Sequence, residues 1–252
     1  MAFLQIEFSG SSIGKMACMN VLLPEGEGPY PVLYLLHGYS DNHTVWQRRT
    51  SIERYVAGED LIVVMPDGHV SFYANDPRPG GRAYEDHIVR DVVEFTDRAF
   101  PTIAKREGRA IAGLSMGGYG AMMIGLKHHD RFAAISSHSG ALGFVHDHYV
   151  RDDPGINSLA EALAAGGSYD CHELARQAVA AETCPAVRFD CGHDDFLIEY
   201  NRHFHEHLEA IGLAHTYEEF DGVHEWAYWD SHVPETIRFV LDNVERAAAR
   251  EP

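Results

Sequence analysis

Cysteine is scarce and unpatterned in this chain. The four present, Cys18, Cys171, Cys184 and Cys191, show no C-x-x-C spacing. Neither a thiolate zinc site nor the disulfide framework of a small secreted fold is written into them, and reduced thiols are the expectation. Positive charge is also in deficit, with 20 Lys and Arg against 38 Asp and Glu and a formal net charge of -18. That balance argues against nucleic acid or an anionic membrane as a partner, and reads as a device for solubility. Long apolar runs are missing: residues 32–36 and 61–65 are strand-sized, far from the roughly 20 residues of a membrane span. Residues 1–8 lack the basic start and apolar stretch of a secretory signal, so the expected location is cytoplasmic. There is no internal repeat and no low-complexity tract.

What is present has the composition of a globular protein, 45% hydrophobic and 23% charged over 252 residues, enough for one substantial core. Short apolar runs alternate with amphipathic segments, the pattern of an α/β fold in which helices cover both faces of a mostly parallel sheet. Strands are expected at 4–8, 17–23, 32–37, 61–65, 110–114, 133–137, 186–191 and 216–220. The first two should form an antiparallel hairpin at the sheet edge, joined around 10–14. Helices are expected at 84–99, 117–128, 170–181, 196–211 and 234–248. Two excursions break the alternation: 68–82, rich in Pro and Gly, and 141–168, a candidate small cap on a single domain spanning 1–252.

The 17 histidines invite a metal reading at His203-Phe204-His205-Glu206-His207 and at His128-His129. Nothing supplies the H-E-x-x-H arrangement, however, so a solvated helix surface is expected, with no metal and no cofactor.

The chemistry lies elsewhere, in Gly113-Leu114-Ser115-Met116-Gly117, a G-x-S-x-G motif where an apolar strand gives way to a helix. A serine hydroxyl is a weak nucleophile. Acyl transfer needs it on a strained, exposed turn, with a base in reach and N–H groups aimed at the developing oxyanion. Three further strand ends carry polar groups, which is where an open parallel sheet gathers its ligand site. One is His37-Gly38-Tyr39. The second, Phe189-Asp190-Cys191-Gly192-His193-Asp194-Asp195-Phe196-Leu197, offers carboxylates to orient a base, and spacing from the strand cannot separate Asp194 from Asp195. The third is Phe220-Asp221-Gly222-Val223-His224-Glu225-Trp226. Ser115, an aspartate and His224 follow the chain order of an α/β-hydrolase triad, each after its own strand.

With these residues the chain resembles the esterase D group of α/β-hydrolases, and within it the tributyrin esterase-like carboxylesterases. The resemblance runs through His37-Gly38-Tyr39-Ser40-Asp41-Asn42-His43 with Trp46, Val64-Met65-Pro66-Asp67, the turn 113–118, Cys191-Gly192-His193-Asp194-Asp195-Phe196-Leu197, and Gly222-Val223-His224-Glu225-Trp226 with Tyr228-Trp229. It implies an α/β-hydrolase fold and a Ser115-His224-Asp195 triad, selecting Asp195 over Asp194. It also implies backbone oxyanion donors at Tyr39 and Met116, and an acyl-enzyme intermediate. His37, Gly38, Trp226, Tyr228 and Trp229 are candidate pocket residues, with Asn42, Asp67 and Tyr73 in reach from their loops. The expected function is short-acyl carboxylesterase activity on a small-molecule ester. Feruloyl or acetyl-xylan esterase is the alternative, then S-formylglutathione hydrolase, from which the chain departs by having Tyr39-Ser40-Asp41 where those enzymes carry a cysteine. A hydrolase fold that has lost catalysis and serves only for binding is the reading of a different class. The group also implies a homo-oligomer, although no surface signal in the sequence marks an interface.

Overall fold

The computed structural model describes residues 1–147, 153–166, 168–181 and 183–248, with side chains through residue 244. Its strands are β1 (Ala2–Gly10), β2 (Lys15–Leu23), β3 (Val32–Leu36), β4 (Ile62–Pro66), β5 (Arg109–Leu114), β6 (Ala134–His138), β7 (Ala186–Gly192) and β8 (His215–Phe220). They form one eight-stranded sheet in the order β1-β2-β4-β3-β5-β6-β7-β8. The β1–β2 hairpin is antiparallel at the edge and joins β4 antiparallel, while β4, β3, β5, β6, β7 and β8 run parallel. Every expected strand is present within two residues at either end.

Period-2 alternation explains how the sheet divides the interior. Val32, Tyr34 and Leu36 of β3 enter one core with Ile62, Val64 and Ile111. Leu33 and Leu35 enter a second with Val63, Ala110, Ala112 and Leu114. Burial on both faces is what a near-continuous apolar strand encodes.

The helices are α1 (Val45–Arg49), α2 (Ile52–Tyr55), α3 (Tyr84–Asp86), α4 (Val93–Ala99), α5 (Met116–Lys127), α6 (Pro154–Ala164), α7 (Cys171–Ala180), α8 (Ile198–Ile211) and α9 (Trp226–Ala248). Between α3 and α4 runs a π-helical turn, His87–Val92, so the helix expected at 84–99 is not uniformly α. None of the helices among the described residues is long and apolar enough to cross a membrane.

Two differences from expectation have clear causes. α9 begins eight residues before Pro234, which reads locally as a helix start but lies inside the helix. Trp229, Val233, Ile237, Val240 and Val244 form one stripe buried in the second core, which Tyr228 also enters. That burial offsets the roughly 3 kcal/mol an interior proline costs. α6 lies within the excursion read as a candidate small cap, where no helix is expected. Its Asp153-Pro154-Gly155 resembles a turn, yet Asp153 accepts the N–H groups of Gly155 and Ile156 at 2.9 and 3.2 Å, with Pro154 in the first turn, a regular helix start. Residues 148–152 and 167 of the candidate cap lie outside the described residues.

The β5–α5 junction is packed backbone to backbone. A methyl group on Gly113 of β5 would stand 2.5 Å from the Gly117 carbonyl oxygen, and one on Gly117 would stand 2.5 Å from the His37 carbonyl oxygen and 2.6 Å from that of Leu36 at the end of β3, so α5 can only approach the two strands this closely over glycine. Gly117→Ala should therefore lower stability by about 1–3 kcal/mol, read as a lower urea midpoint at unchanged slope. An unshifted midpoint would mean that the junction is looser than described.

Candidate active site

Ser115 links β5 to α5 with φ 52° and ψ -115°, a conformation that L residues adopt only when the surroundings impose it. Here they do: the Ser115 N–H donates to the His138 carbonyl at 2.9 Å, and its carbonyl accepts the Ala141 N–H at 3.1 Å. The turn pushes the side chain out beyond the sheet's carboxyl edge. Met116 follows as the first residue of α5, so its N–H belongs to the helix-terminal donors that have no intrahelical acceptor. Tyr39 lies on the loop after β3 and lines the same cleft as Ser115.

His224 sits on the loop between β8 and α9. Its Nε2 is 2.9 Å from Ser115 Oγ, and its Nδ1 donates to Asp195 at 3.0 Å (Oδ1) and 2.8 Å (Oδ2). Asp195 is buried and also accepts the Leu197 N–H at 2.8 Å, so the carboxylate is held from two directions. Of the carboxylates near this turn, Asp194 is exposed, and Asp190 points into the core. The structure thus brings Ser115, His224 and Asp195 into one hydrogen-bonded line.

This line opens on a cleft of about 680 Å³ bordered by Gly38, Tyr39, Ser40, Asp41, Arg49, Phe196, His224, Glu225, Trp226 and Trp229. Gly38, Trp226 and Trp229 are therefore at the cleft, as expected. Two candidates are not. His37 is 1% exposed, accepting the Gly68 N–H at Nε2 (2.8 Å) and reaching the Gly38 carbonyl from Nδ1 (2.8 Å), so it braces two loops from beneath. Tyr228 is 4% exposed and turns into the core. On a helix starting at Trp226, residues 226 and 229 share a face and 228 does not. Asn42, Asp67 and Tyr73 also stay out of the cleft lining. The buried Tyr73 donates its hydroxyl to the His37 carbonyl at 3.0 Å.

The cleft gains residues that the sequence did not single out for it. Phe196 stands 4.5 Å from the His224 ring, beside the expected Trp229, which meets the same ring edge-on at 4.9 Å. Phe196 and Glu225 adjoin site residues in sequence, a usable signal. Arg49 arrives from α1 and carries no local one. Burial pushes the Asp41 carboxyl above its ordinary range, opposed by His37, Arg48 and Arg49.

Beneath the line lies a buried polar cluster. His138 Nδ1 is 2.8 Å from Asp190 Oδ2, Arg188 pairs with the same oxygen, and the Tyr228 hydroxyl donates to Asp190 Oδ1 at 2.8 Å. Burial alone would raise the Asp190 pKa, but His138 and Arg188 hold it down, to about 2. The Asp190 carbonyl accepts the Ser139 N–H at 2.7 Å, and Ser139 Oγ accepts Trp229 Nε1 at 3.2 Å. The cluster thereby connects the ends of β6 and β7 to the ring against His224.

Residues 10–240 match the family model described as a putative esterase. An acetyl esterase of Caldicellulosiruptor saccharolyticus is 29% identical over 95% of this chain and 98% of its own length. An S-formylglutathione hydrolase from Staphylococcus aureus, 30% identical, matches with a TM-score of 0.83 over 95% of this chain and 98% of its own. A solved ferulic acid esterase, 27% identical, gives 0.83 over 96% and 98%.

The Tyr228 hydroxyl is the simplest member of the buried cluster to remove. Tyr228→Phe leaves a carboxylate oxygen short of a donor and should cost about 1.5–3 kcal/mol in urea unfolding, with the KM for a small ester within twofold of the parent. A large KM change at unchanged stability would put Tyr228 back at the cleft.

Proposed function

The chain belongs to the esterase family and is a carboxylic ester hydrolase, and we propose that it is a serine carboxylesterase of short-acyl esters working through Ser115, His224 and Asp195. The observation that supports this reading is the unbroken contact from Ser115 Oγ through the imidazole to a buried carboxylate at a ligand-sized cleft.

In this mechanism Ser115 Oγ attacks the acyl carbonyl carbon while His224 Nε2 takes the hydroxyl proton. The oxyanion is received by the N–H groups of Tyr39 and Met116, each contributing on the order of 3 kcal/mol of barrier lowering. As the tetrahedral species collapses, the ester C–O bond breaks and His224 returns the proton to the leaving alcohol. Water, deprotonated by the same imidazole, then attacks the acyl-enzyme, and Ser115 departs reprotonated with release of the carboxylic acid. Asp195 fixes the Nδ1–H tautomer and stabilises the imidazolium throughout.

Ser40, Asp41, Arg49 and Glu225 interrupt the cleft wall with polar groups, which suits small uncharged esters over long acyl chains. A second reading, hydrolysis of aryl esters such as ferulates, is favoured by Phe196, Trp226 and Trp229 around the cleft, since flat rings bind well against aromatic edges and faces.

Hydrolysis of 4-nitrophenyl acetate, butyrate, octanoate and ferulate by the parent and Ser115→Ala tests both. Activity should fall on the order of 10⁴-fold or more in the variant, and from butyrate to octanoate in the parent. A ferulate preference would install the second reading. Turnover surviving in Ser115→Ala, or absent in both proteins, would overturn the triad.

A further inference from the structure

Away from the cleft, the two ends of the excursion after β6 meet in a cluster of imidazoles and a carboxylate. His146 Nδ1 lies 2.8 Å from Asp170 Oδ2, and His172 Nδ1 lies 3.5 Å from Asp170 Oδ1. One donor atom from each residue falls within 4.8 Å of the others. Asp170 is fixed in place, because its Oδ1 accepts the His172 N–H at 2.8 Å and caps α7. His172 is only 3% exposed, yet its Nδ1 has no hydrogen-bond partner among the described residues. Leaving a buried polar atom unmatched is costly. The ring is held by the edge of Phe204 at 5.1 Å, and its carbonyl faces His207 Nε2 at 2.9 Å. His146, at 39% exposure, leaves the cluster open to solvent on one side.

We propose that His146, Asp170 and His172 form a divalent-metal site, with zinc the ion that fits it best. Two imidazoles and one carboxylate are a borderline donor set, better suited to zinc than to magnesium or calcium. Donors of a tetrahedral zinc stand about 3.4 Å apart, a separation that the cluster brackets. Water completes the tetrahedron from the open side. The His146 and His172 rings are stacked at 3.8 Å and 16°, so coordination turns the exposed His146 ring to aim its lone pair at the ion while the buried ring keeps its place.

The site is separate from the catalytic cleft, whose lining includes none of the three residues. Its ion staples position 146 to position 170, across the excursion that carries α6 and Asp153. Asp153 accepts the hydroxyl of the cleft residue Tyr39 at 2.7 Å. The ion thus holds position 146 against the residue that caps α7 and takes no part in the chemistry.

Calorimetric titration of zinc chloride into the EDTA-stripped full chain tests this, comparing the parent with His146→Ala, His172→Gln and His203→Ala, the last an exposed histidine outside the cluster. The parent and His203→Ala should each bind one zinc tightly, and binding should weaken at least tenfold in the other two. Zinc should raise the Tm of the parent and not that of His146→Ala. Because His146 is exposed, its removal leaves the core intact, and this variant decides the matter should His172→Gln fail to fold. Unchanged zinc affinity and stoichiometry in His146→Ala, or no saturable binding to the parent, would overturn the site.

Discussion

A serine held at φ 52° between a strand and a helix cannot relax without separating the two. Gly117 lets α5 press against the carbonyls of Leu36 and His37. Hydrogen bonds to His138 and Ala141 grip the Ser115 backbone from the next strand and the loop beyond it. Strain at one residue is thus sustained by packing from β3, β5, β6 and α5 together. The cleft depends on it, because the same turn that strains the backbone lifts Oγ to His224 and starts α5 at Met116.

The second half of the site rests on the Asp190 cluster. Burying a carboxylate with His138 and Arg188 is a weak source of net stability, since desolvation offsets much of the attraction. Its contribution here is positional. Through the Asp190 backbone and Ser139 it sets Trp229 against the His224 ring, and through Tyr228 it fixes the turn of α9 that follows His224. The imidazole is held along its hydrogen-bonding axis by Asp195, with the Trp229 and Phe196 rings packed beside it.

Much of this was legible in the chain. Short apolar runs announced each strand, and the G-x-S-x-G turn together with the order Ser115, aspartate, His224 marked the line of polar groups. Local spacing could not separate Asp194 from Asp195, because the difference between them is burial, which depends on how the turn packs under His224. Pro234 hid the first two turns of α9, and with them the fact that Trp226 and Trp229 share a face that Tyr228 leaves. His37 looked like a lining residue because it ends a strand beside the site. Its partners, Gly68 and Gly38, show that it braces loops instead. Arg49 reaches the cleft only through tertiary packing. His146 and Asp170 are distant in sequence and meet only because the excursion returns to its origin.

The central claim is that the strained Ser115, activated by His224, is the nucleophile. Intact-mass spectrometry after reaction with a fluorophosphonate, followed by peptide mapping, tests it most directly. A single adduct on Ser115, forming far more slowly in His224→Ala, is the result this account predicts. An adduct on another residue, or none on the folded parent protein, would contradict it.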